Sequence, residues 1–296
     1  TAWSSKAYKG GFNKQAVGRA KTPTLALVVK RDLEIENFES EVYYQITAKF
    51  KTDTGEYEGI FLDKEFDNKK LSLEEKRVRK NDRIFDSEVA ELIVSSTVDS
   101  DGSITEVVKP RKEYSEALFD LTSLQREANS RFGFTARTTL QITQNLYQPR
   151  SGEGYVTYPR TDSRRLPNDY PHLVLETIKN FKSTKYERYS EFIVENNMVN
   201  SDDKKVFDSS KVSDHFAIIP TNIIPSFTKL SDQEAKIYDL IVKRFLAIFY
   251  PPVITKETVR DTIVNGNTYR TKGKILIDKG WKEVLDSTTS ETILNA

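Results

Sequence analysis

A tyrosine and an arginine stand two residues apart in the segment Thr157-Tyr158-Pro159-Arg160. A residue before proline is biased toward extended backbone, and in an extended chain residues i and i+2 point to the same side. The pattern therefore predicts that the phenol of Tyr158 and the guanidinium of Arg160 face the same space. Such a phenol can attack a phosphate, because the cation stabilises both the phenolate and the charge that develops on the phosphate. The spacing also occurs at ordinary strand ends, so the pair alone leaves a structural role open.

Arginines are concentrated around this tyrosine. Between residues 126 and 165 all seven basic residues are arginine, and only three residues are acidic. A guanidinium fork suits two-point contact with phosphate, so this window favours a phosphate-bearing partner, although the net charge of the whole chain is only +1. The seven are Arg126, Arg131, Arg137, Arg150, Arg160, Arg164 and Arg165.

Composition excludes several other kinds of site. The 296 residues include no cysteine, which rules out disulfides and thiolate metal ligands, and the two histidines, His172 and His215, are too few for a histidine-rich metal site. No apolar run reaches the roughly 18 residues of a membrane-spanning helix, and no secretion signal is visible. The chain begins at Thr1 without an initiator methionine. We therefore expect it to be an excised piece of a longer protein or a processed product.

The elements that must position the tyrosine are predicted from caps and hydrophobic spacing. Residues up to about 13 are predicted to be loop, and Pro110 is predicted to mark a boundary after the strand at 104–109. A capping box, in which two side chains satisfy free backbone N–H groups, is predicted at residues 122–125 and another at 231–234. The predicted helices are 22–38, 86–95, 122–133, a helix from 135, 171–181 and 231–249. The predicted strands are 43–50, 57–62, 104–109, 155–158 and the Asn265-Gly266 hairpin, and 201–213 is predicted to be loop.

The order of these elements is helix, β-rich, helical and β-rich. It predicts an α+β fold in which a mainly helical domain is inserted into a discontinuous β-rich domain.

Five blocks of the chain resemble the type IA DNA topoisomerases, and within that family the bacterial topoisomerase III group. The run Tyr-Pro-Arg-Thr-Asp-Ser from Tyr158 to Ser163 is the most specific of them. The blocks follow one another in order over nearly the whole chain, at residues 17–25, 120–129, 131–134, 157–163 and 215–221.

The resemblance implies a role for each matching residue. Tyr158 matches the nucleophile that forms a 5′-phosphotyrosyl link, Arg160 the residue that holds the scissile phosphate, and His215 a histidine near the cleaved phosphate. From the residues alone, His215 could equally be a partly buried hydrogen-bonding residue, Arg19 a solvated helix residue and Gln125 a capping residue. The implied DNA-binding positions are Arg19, Lys21, Gln125, Arg126, Asp162, Ser163 and Arg164.

The resemblance also implies a toroidal enzyme with a β-rich arch. Residues 1–38 would belong to a DNA-binding gate base, 39–115 and 249–285 to the arch, 116–248 to the cleavage domain, and 286–296 to the return into the gate base. The implied cofactor, Mg²⁺, would be bound by a toprim domain that this chain lacks, since Asp99-Ser100-Asp101 is predicted to be a turn. The implied partners are DNA, chiefly single-stranded, and a RecQ-type helicase for the full-length enzyme, in the cytoplasm and associated with the nucleoid.

Two other classes of protein fit parts of the sequence. A non-catalytic module could bind single-stranded DNA through arginine and aromatic contacts. A tyrosine recombinase would leave a 3′-phosphotyrosine and needs two widely separated arginines with a histidine near the tyrosine, whereas here the arginine follows the tyrosine.

Overall fold

The computed structural model describes residues 2–6, 12–16, 19–73, 75–149 and 152–285. Some residues named in the predictions above lie outside the described residues, namely Val17, Gly18, Arg150 and residues 286–296. The chain divides into two compact units. The first contains Thr1–Thr47, Ile60–Asp101 and Val264–Thr268, and the second Ala48–Gly59, Gly102–Ile263 and Tyr269–Ala296.

The first unit opens with an antiparallel strand pair, β1 (Ala2–Lys6) and β2 (Phe12–Ala16). The prediction of loop for these residues is wrong. Neither strand contains a β-branched residue, so the local sequence gives little sign of a strand.

Three helices follow in the first unit. Helix α1 (Lys21–Glu36) confirms the predicted helix, but none of its residues is buried and the predicted apolar face, including Leu25 and Leu33, is exposed. Helix α2 is the single turn Glu75–Val78. Helix α3 (Ser87–Thr97) begins as predicted, with the Asp86 carboxylate accepting from the N–H groups of the first turn.

A five-stranded sheet, most of whose residues belong to the second unit, has the order β3-β4-β7-β6-β5. Asn265 and Gly266, both with positive φ (47° and 86°), form the predicted hairpin turn between β6 and β7. The strands are β3 (Thr47–Thr52), β4 (Gly55–Leu62), β5 (Ser103–Glu113), β6 (Val253–Val264) and β7 (Asn267–Asp278).

The predicted end of the strand at residue 109 is wrong, because the strand continues through Pro110, which lies inside β5 and pairs with Lys256 of β6. Strand β5 is at the edge of the sheet, where a residue without an N–H group is tolerated.

The rest of the second unit is a helical body built around one apolar core. Among its completely buried side chains are Leu124, Phe181, Tyr238 and Phe245. Its helices are α4 (Leu121–Phe132), α5 (Ala136–Tyr147), α6 (Pro171–Lys179), α7 (Glu187–Glu195) and α8 (Asp232–Ala247). Helices and an antiparallel sheet occupy separate stretches of the chain, so the predicted α+β class is confirmed. The domain boundaries remain predictions.

Caps define where the helices of this body begin and end. The predicted capping box of α8 is confirmed, with Ser231 and Glu234 bonded to each other's N–H groups. Gly133, in the left-handed region, ends α4 as predicted. The capping box predicted at residues 122–125 is wrong. Asp120 caps α4 instead, its carboxylate 2.6 Å from the N–H group of Ser123, because an earlier acceptor had the right spacing.

We expect Asp120→Ala to lower the free energy of unfolding by about 1 kcal/mol, since it removes the N-cap acceptor of α4. Thr122→Ala, in the same first turn, should change it by less than about 0.5 kcal/mol. Thermal unfolding of both variants followed by circular dichroism tests this. Equal effects of the two substitutions would contradict the assigned cap.

Candidate active site

Tyr158 lies in an irregular segment, residues 154–166, which we call the tyrosine segment. It runs beside residues 215–221, which we call the histidine segment. The prediction of a regular strand at residues 155–158 is wrong, since the two segments share a single bridge, between Val156 and Pro220. Pro220 has no N–H group, so a continuous ladder cannot form across it.

Side-chain hydrogen bonds from Thr157 replace part of the missing ladder. Its N–H group donates to the carbonyl oxygen of Ile219 at 3.0 Å. Its hydroxyl donates to the carbonyl oxygen of Ala217 at 2.9 Å and accepts from the N–H group of Ile219 at 3.0 Å. The backbone immediately before Tyr158 is therefore fixed at three points.

Thr161 fixes the backbone on the other side of the tyrosine. Its hydroxyl donates to the carbonyl oxygen of His215 at 3.0 Å and accepts from the N–H group of Ser163 at 3.0 Å. Its carbonyl oxygen accepts from Leu121, the first residue of α4, at 3.1 Å. The residues from 157 to 161 are thus held at both ends against the helical body.

The Tyr158 ring is half-buried and lies between two other rings. Its centroid is 4.1 Å from that of His215 and 5.4 Å from that of Tyr147, which meets it edge-on at 79°. Such contacts restrain a ring without covering its hydroxyl. The Tyr158 hydroxyl has no hydrogen-bond partner among the described residues, so Tyr158 is not an ordinary core tyrosine.

Arg160 and His215 are both exposed. Within the described part of the chain, the Arg160 guanidinium makes neither an ion pair nor a hydrogen bond, which leaves its donors available. The direction of Arg160 relative to Tyr158 remains a prediction. The His215 side chain is not partly buried; it stacks on Tyr158, and its backbone carbonyl oxygen accepts the Thr161 hydrogen bond.

The other arginines of the Arg-rich window fall into two groups. Arg126 and Arg137 are exposed and, as far as the described residues go, make no ion pair or hydrogen bond. Arg131 is paired with Glu127 at 2.6 Å. Arg164 donates to two backbone carbonyl groups, that of Leu118 at 2.9 Å and that of Ala117 at 3.2 Å.

The remaining predicted DNA contacts of this unit have different environments. Ser163 is buried and donates to the carbonyl oxygen of Lys211 at 2.8 Å, so its geometry supports a structural role. Asp162 is exposed and accepts from the Ser213 hydroxyl at 3.2 Å. Gln125 is not a capping residue: its amide donates to the carbonyl oxygen of Ala136 at 3.0 Å and ties α4 to the start of α5.

Arg19 and Lys21 lie in the first unit, at the start of α1, and both are exposed. Their contacts with DNA remain predictions.

The predicted turn at Asp99 is confirmed, with φ at 53°. In the described residues no group of three or more histidine, aspartate and glutamate side chains could hold a metal ion.

Sequence reasoning missed three contributors to the site. Thr157 and Thr161 flank the Tyr-Pro-Arg run, and their spacing could have suggested hydroxyl anchors. Arg244 is only 7% exposed within α8, and a cation among apolar neighbours signals a buried partner.

The fold and the tyrosine segment place the chain in a known class: it belongs to the type IA class of the DNA topoisomerase family, whose model, described as DNA topoisomerase, matches residues 1–295. It is similar to curated proteins named DNA topoisomerase 3 from Bacillus cereus and Bacillus subtilis (strain 168). The identity is 35% over 286 and 285 residues respectively, covering 96% of this chain. The chain spans 36% of the length of these relatives.

The solved structure of full-length topoisomerase I from Thermotoga maritima has the same fold. The similarity has a TM-score of 0.62 at 23% identity and covers 95% of this chain and 42% of that one. No helix among the described residues is long and apolar enough to cross a membrane.

We expect Gly154→Ala to distort the site, because a Cβ there would lie 2.2 Å from the carbonyl oxygen of Tyr147. Backbone must move to relieve that contact, at a cost of about 3 kcal/mol in the free energy of unfolding. Gly133→Ala is the control, since it adds the same methyl group in open space at φ 69° and should cost only about 1 kcal/mol. Urea unfolding measures both, and a smaller loss for Gly154→Ala than for Gly133→Ala would contradict the packing of residue 154.

Proposed function

We propose that this chain supplies the strand-cleaving tyrosine of a type IA DNA topoisomerase that breaks one DNA strand and later reseals it. The observation that carries the proposal is Tyr158 itself. Its backbone is fixed on both sides by Thr157 and Thr161, while its hydroxyl has no partner among the described residues. A nucleophile needs both properties, since its position must be reproducible and its reacting atom must be available.

The reaction is a transesterification. The Tyr158 oxygen forms a bond to the scissile phosphorus, the bond from that phosphorus to the 3′ oxygen breaks, and the phenolic proton is lost as the 3′ hydroxyl gains one. Attack by the same 3′ hydroxyl reverses the steps and releases the tyrosine. One phosphodiester is exchanged for another, so resealing needs no ATP.

Arg160 and His215 have complementary roles in this scheme. The Arg160 guanidinium, without a protein partner in the described residues, stabilises the negative charge that grows on the phosphate oxygens. The His215 ring restrains the phenol by stacking 4.1 Å away, centroid to centroid, and its exposed imidazole would lie next to a phosphate attacked by that phenol.

Single-stranded DNA is the substrate that this site fits. Arg126, Arg137 and Arg160 are exposed cations from one arginine-rich window, and cations of this kind bind a phosphate backbone without sequence preference. In the complete enzyme, cleavage would be followed by strand passage, which relaxes negative supercoils or separates linked DNA. Arg19 and Lys21, in the first unit, would also bind DNA as part of the gate base of a toroidal enzyme.

The resemblance carries the remaining proposals. Any Mg²⁺ that the enzyme uses would be bound by a toprim domain and not by the residues described, and it would supply positive charge near the DNA phosphates. A RecQ-type helicase as partner and a cytoplasmic, nucleoid-associated location rest on the resemblance alone.

We expect Tyr158→Phe in the complete protein to abolish covalent DNA adducts, because it removes the attacking oxygen and keeps the ring. Binding of a single-stranded oligonucleotide should change less than about twofold, since the ring contacts remain. A denaturing gel after reaction with end-labelled oligonucleotide measures the adducts. A label at the 3′ end should stay with the protein, as a 5′-phosphotyrosyl link requires.

Tyr114→Phe is the matched control, since Tyr114 is an exposed tyrosine of the same unit whose hydroxyl has no assigned role. It should form adducts like the unaltered protein. Adducts that persist in Tyr158→Phe would refute the nucleophile. Retention of the 5′ label would indicate recombinase-like chemistry, and DNA binding by the unaltered protein without any adduct would favour a non-catalytic binding module.

A further inference from the structure

We propose that Arg164 is a positioning residue for Tyr158 and not a DNA contact, and that Glu116 and Arg244 act with it. This inference rests on the proposed function and names residues that hold the nucleophile in place. It also replaces the expectation that Arg164 binds the DNA strand.

Residues 116–119 lead from β5 into α4, and we call them the entry segment. Phe119 forms an antiparallel bridge with Ile218, whose N–H group donates to the Phe119 carbonyl oxygen at 2.8 Å. The histidine segment therefore lies between the entry segment on one side and the tyrosine segment on the other. A shift of the entry segment moves the backbone against which Tyr158 is held.

A direct contact also joins the entry segment to the tyrosine segment. Arg164, six residues after Tyr158, donates from Nε to the Leu118 carbonyl oxygen at 2.9 Å and from Nη2 to the Ala117 carbonyl oxygen at 3.2 Å. Two parallel donors in one rigid plane fix both distance and orientation. Donors used in this way are not available to a phosphate.

An ion pair fixes the entry segment itself. The Glu116 carboxylate accepts from Nη1 of Arg244 at 2.6 Å and lies 4.0 Å from Nη2 of Arg164. The Arg244 hydrogen bond holds the pKa of the Glu116 carboxyl below its ordinary value. Arg244 is nearly buried, lies 4.4 Å over the Phe119 ring and has a second carboxylate, that of Glu127, 3.6 Å away. A buried guanidinium with these partners has a defined position.

The charge of Glu116 favours a structural role for Arg164 over DNA binding. An acidic group beside a DNA-binding arginine weakens its attraction for phosphate, so Glu116 would be unfavourable if Arg164 bound the strand. The same carboxylate is favourable if Arg164 and Arg244 hold the entry segment. Arg160, in contrast, has no carboxylate within ion-pair distance among the described residues.

Arg164→Lys in the complete protein tests the proposal. Lysine keeps the charge, but one ammonium cannot reproduce the planar fork across two carbonyl oxygens. We expect the rate of adduct formation at saturating oligonucleotide to fall roughly 10- to 100-fold, as for a misplaced reacting group. The dissociation constant for single-stranded DNA should change less than about twofold. A rate within about twofold of the unaltered protein would overturn the proposal.

The salt dependence of binding separates positioning from DNA contact. The association constant for single-stranded DNA falls as the salt concentration rises. Loss of one phosphate contact makes the slope of its logarithm against log salt concentration shallower by about 0.7. Arg160→Gln should show that loss. Arg164→Gln should leave the slope unchanged, and a decrease like that of Arg160→Gln would overturn the proposal.

Glu116→Gln provides a second, independent variant. It removes a negative charge, so through charge alone it should bind DNA at least as well as the unaltered protein. We expect it nevertheless to form adducts more slowly, because the entry segment loses its ion pair; unchanged adduct formation would contradict the role of Glu116.

Arg270→Lys is the matched control for Arg164→Lys, because it also removes a two-point arginine contact: Arg270 pairs with Asp261 of the sheet at 2.7 and 2.9 Å. It should leave the rate unchanged, and an equal fall would mean that the Arg164→Lys effect is general loss of structure.

Circular dichroism and retained DNA binding show that each variant is folded. The unaltered protein distinguishes the two proposals: absence of adducts there refutes the proposed function, whereas adducts there and in Arg164→Lys at equal rates refute only the positioning role.

Discussion

The hydrogen bonds of Thr157 to the histidine segment are the constraint on which the site depends. A regular ladder cannot continue past Pro220, and the Thr157 side chain supplies the acceptor and donor that the backbone lacks. Together with Thr161 at the other end, it ties both ends of residues 157–161, which are irregular chain, to the histidine segment. Because the segment is not a strand, Tyr158 is not required to lie on a covered sheet face. A fixed backbone and an uncovered hydroxyl therefore occur at the same residue.

The arginines around Tyr158 have different environments, which the composition of the region does not reveal. Arg131 and Arg164 are already bonded to protein groups, whereas Arg126, Arg137 and Arg160 have no such partner in the described residues. Cations of the second kind can give all their donors to a phosphate without first breaking a protein contact. The arginine-rich window therefore contains two populations, one that is bonded to protein groups and one without a protein partner in the described residues.

Local signals predicted the fold well where the structure depends on near neighbours. Gly133 at the end of α4, Ser231 at the start of α8 and the Asn265 turn each act within a few residues, and each was predicted correctly. The partners of Thr157 and Arg164 lie about 60 and 46 positions away along the chain, so no window around the tyrosine reveals them. Resemblance singled out Tyr158 as the proposed nucleophile, but only the packing of distant segments shows how Tyr158 is held.

Glu116 lies where the support of the tyrosine segment and the charge around Tyr158 meet. An enzyme that binds DNA gains affinity from each unpaired cation near its active site, and a carboxylate close to two arginines reduces that gain. The loss of DNA affinity caused by Glu116 is offset if Arg164 and Arg244 are needed as structural donors. A nearly buried guanidinium such as that of Arg244 must have a charged partner. The ion pair, the Arg164 contact and the bridge at Phe119 then form one continuous support that ends at the backbone of Tyr158. If Tyr158 is the nucleophile that we propose, charge near it is divided between holding that residue and attracting DNA.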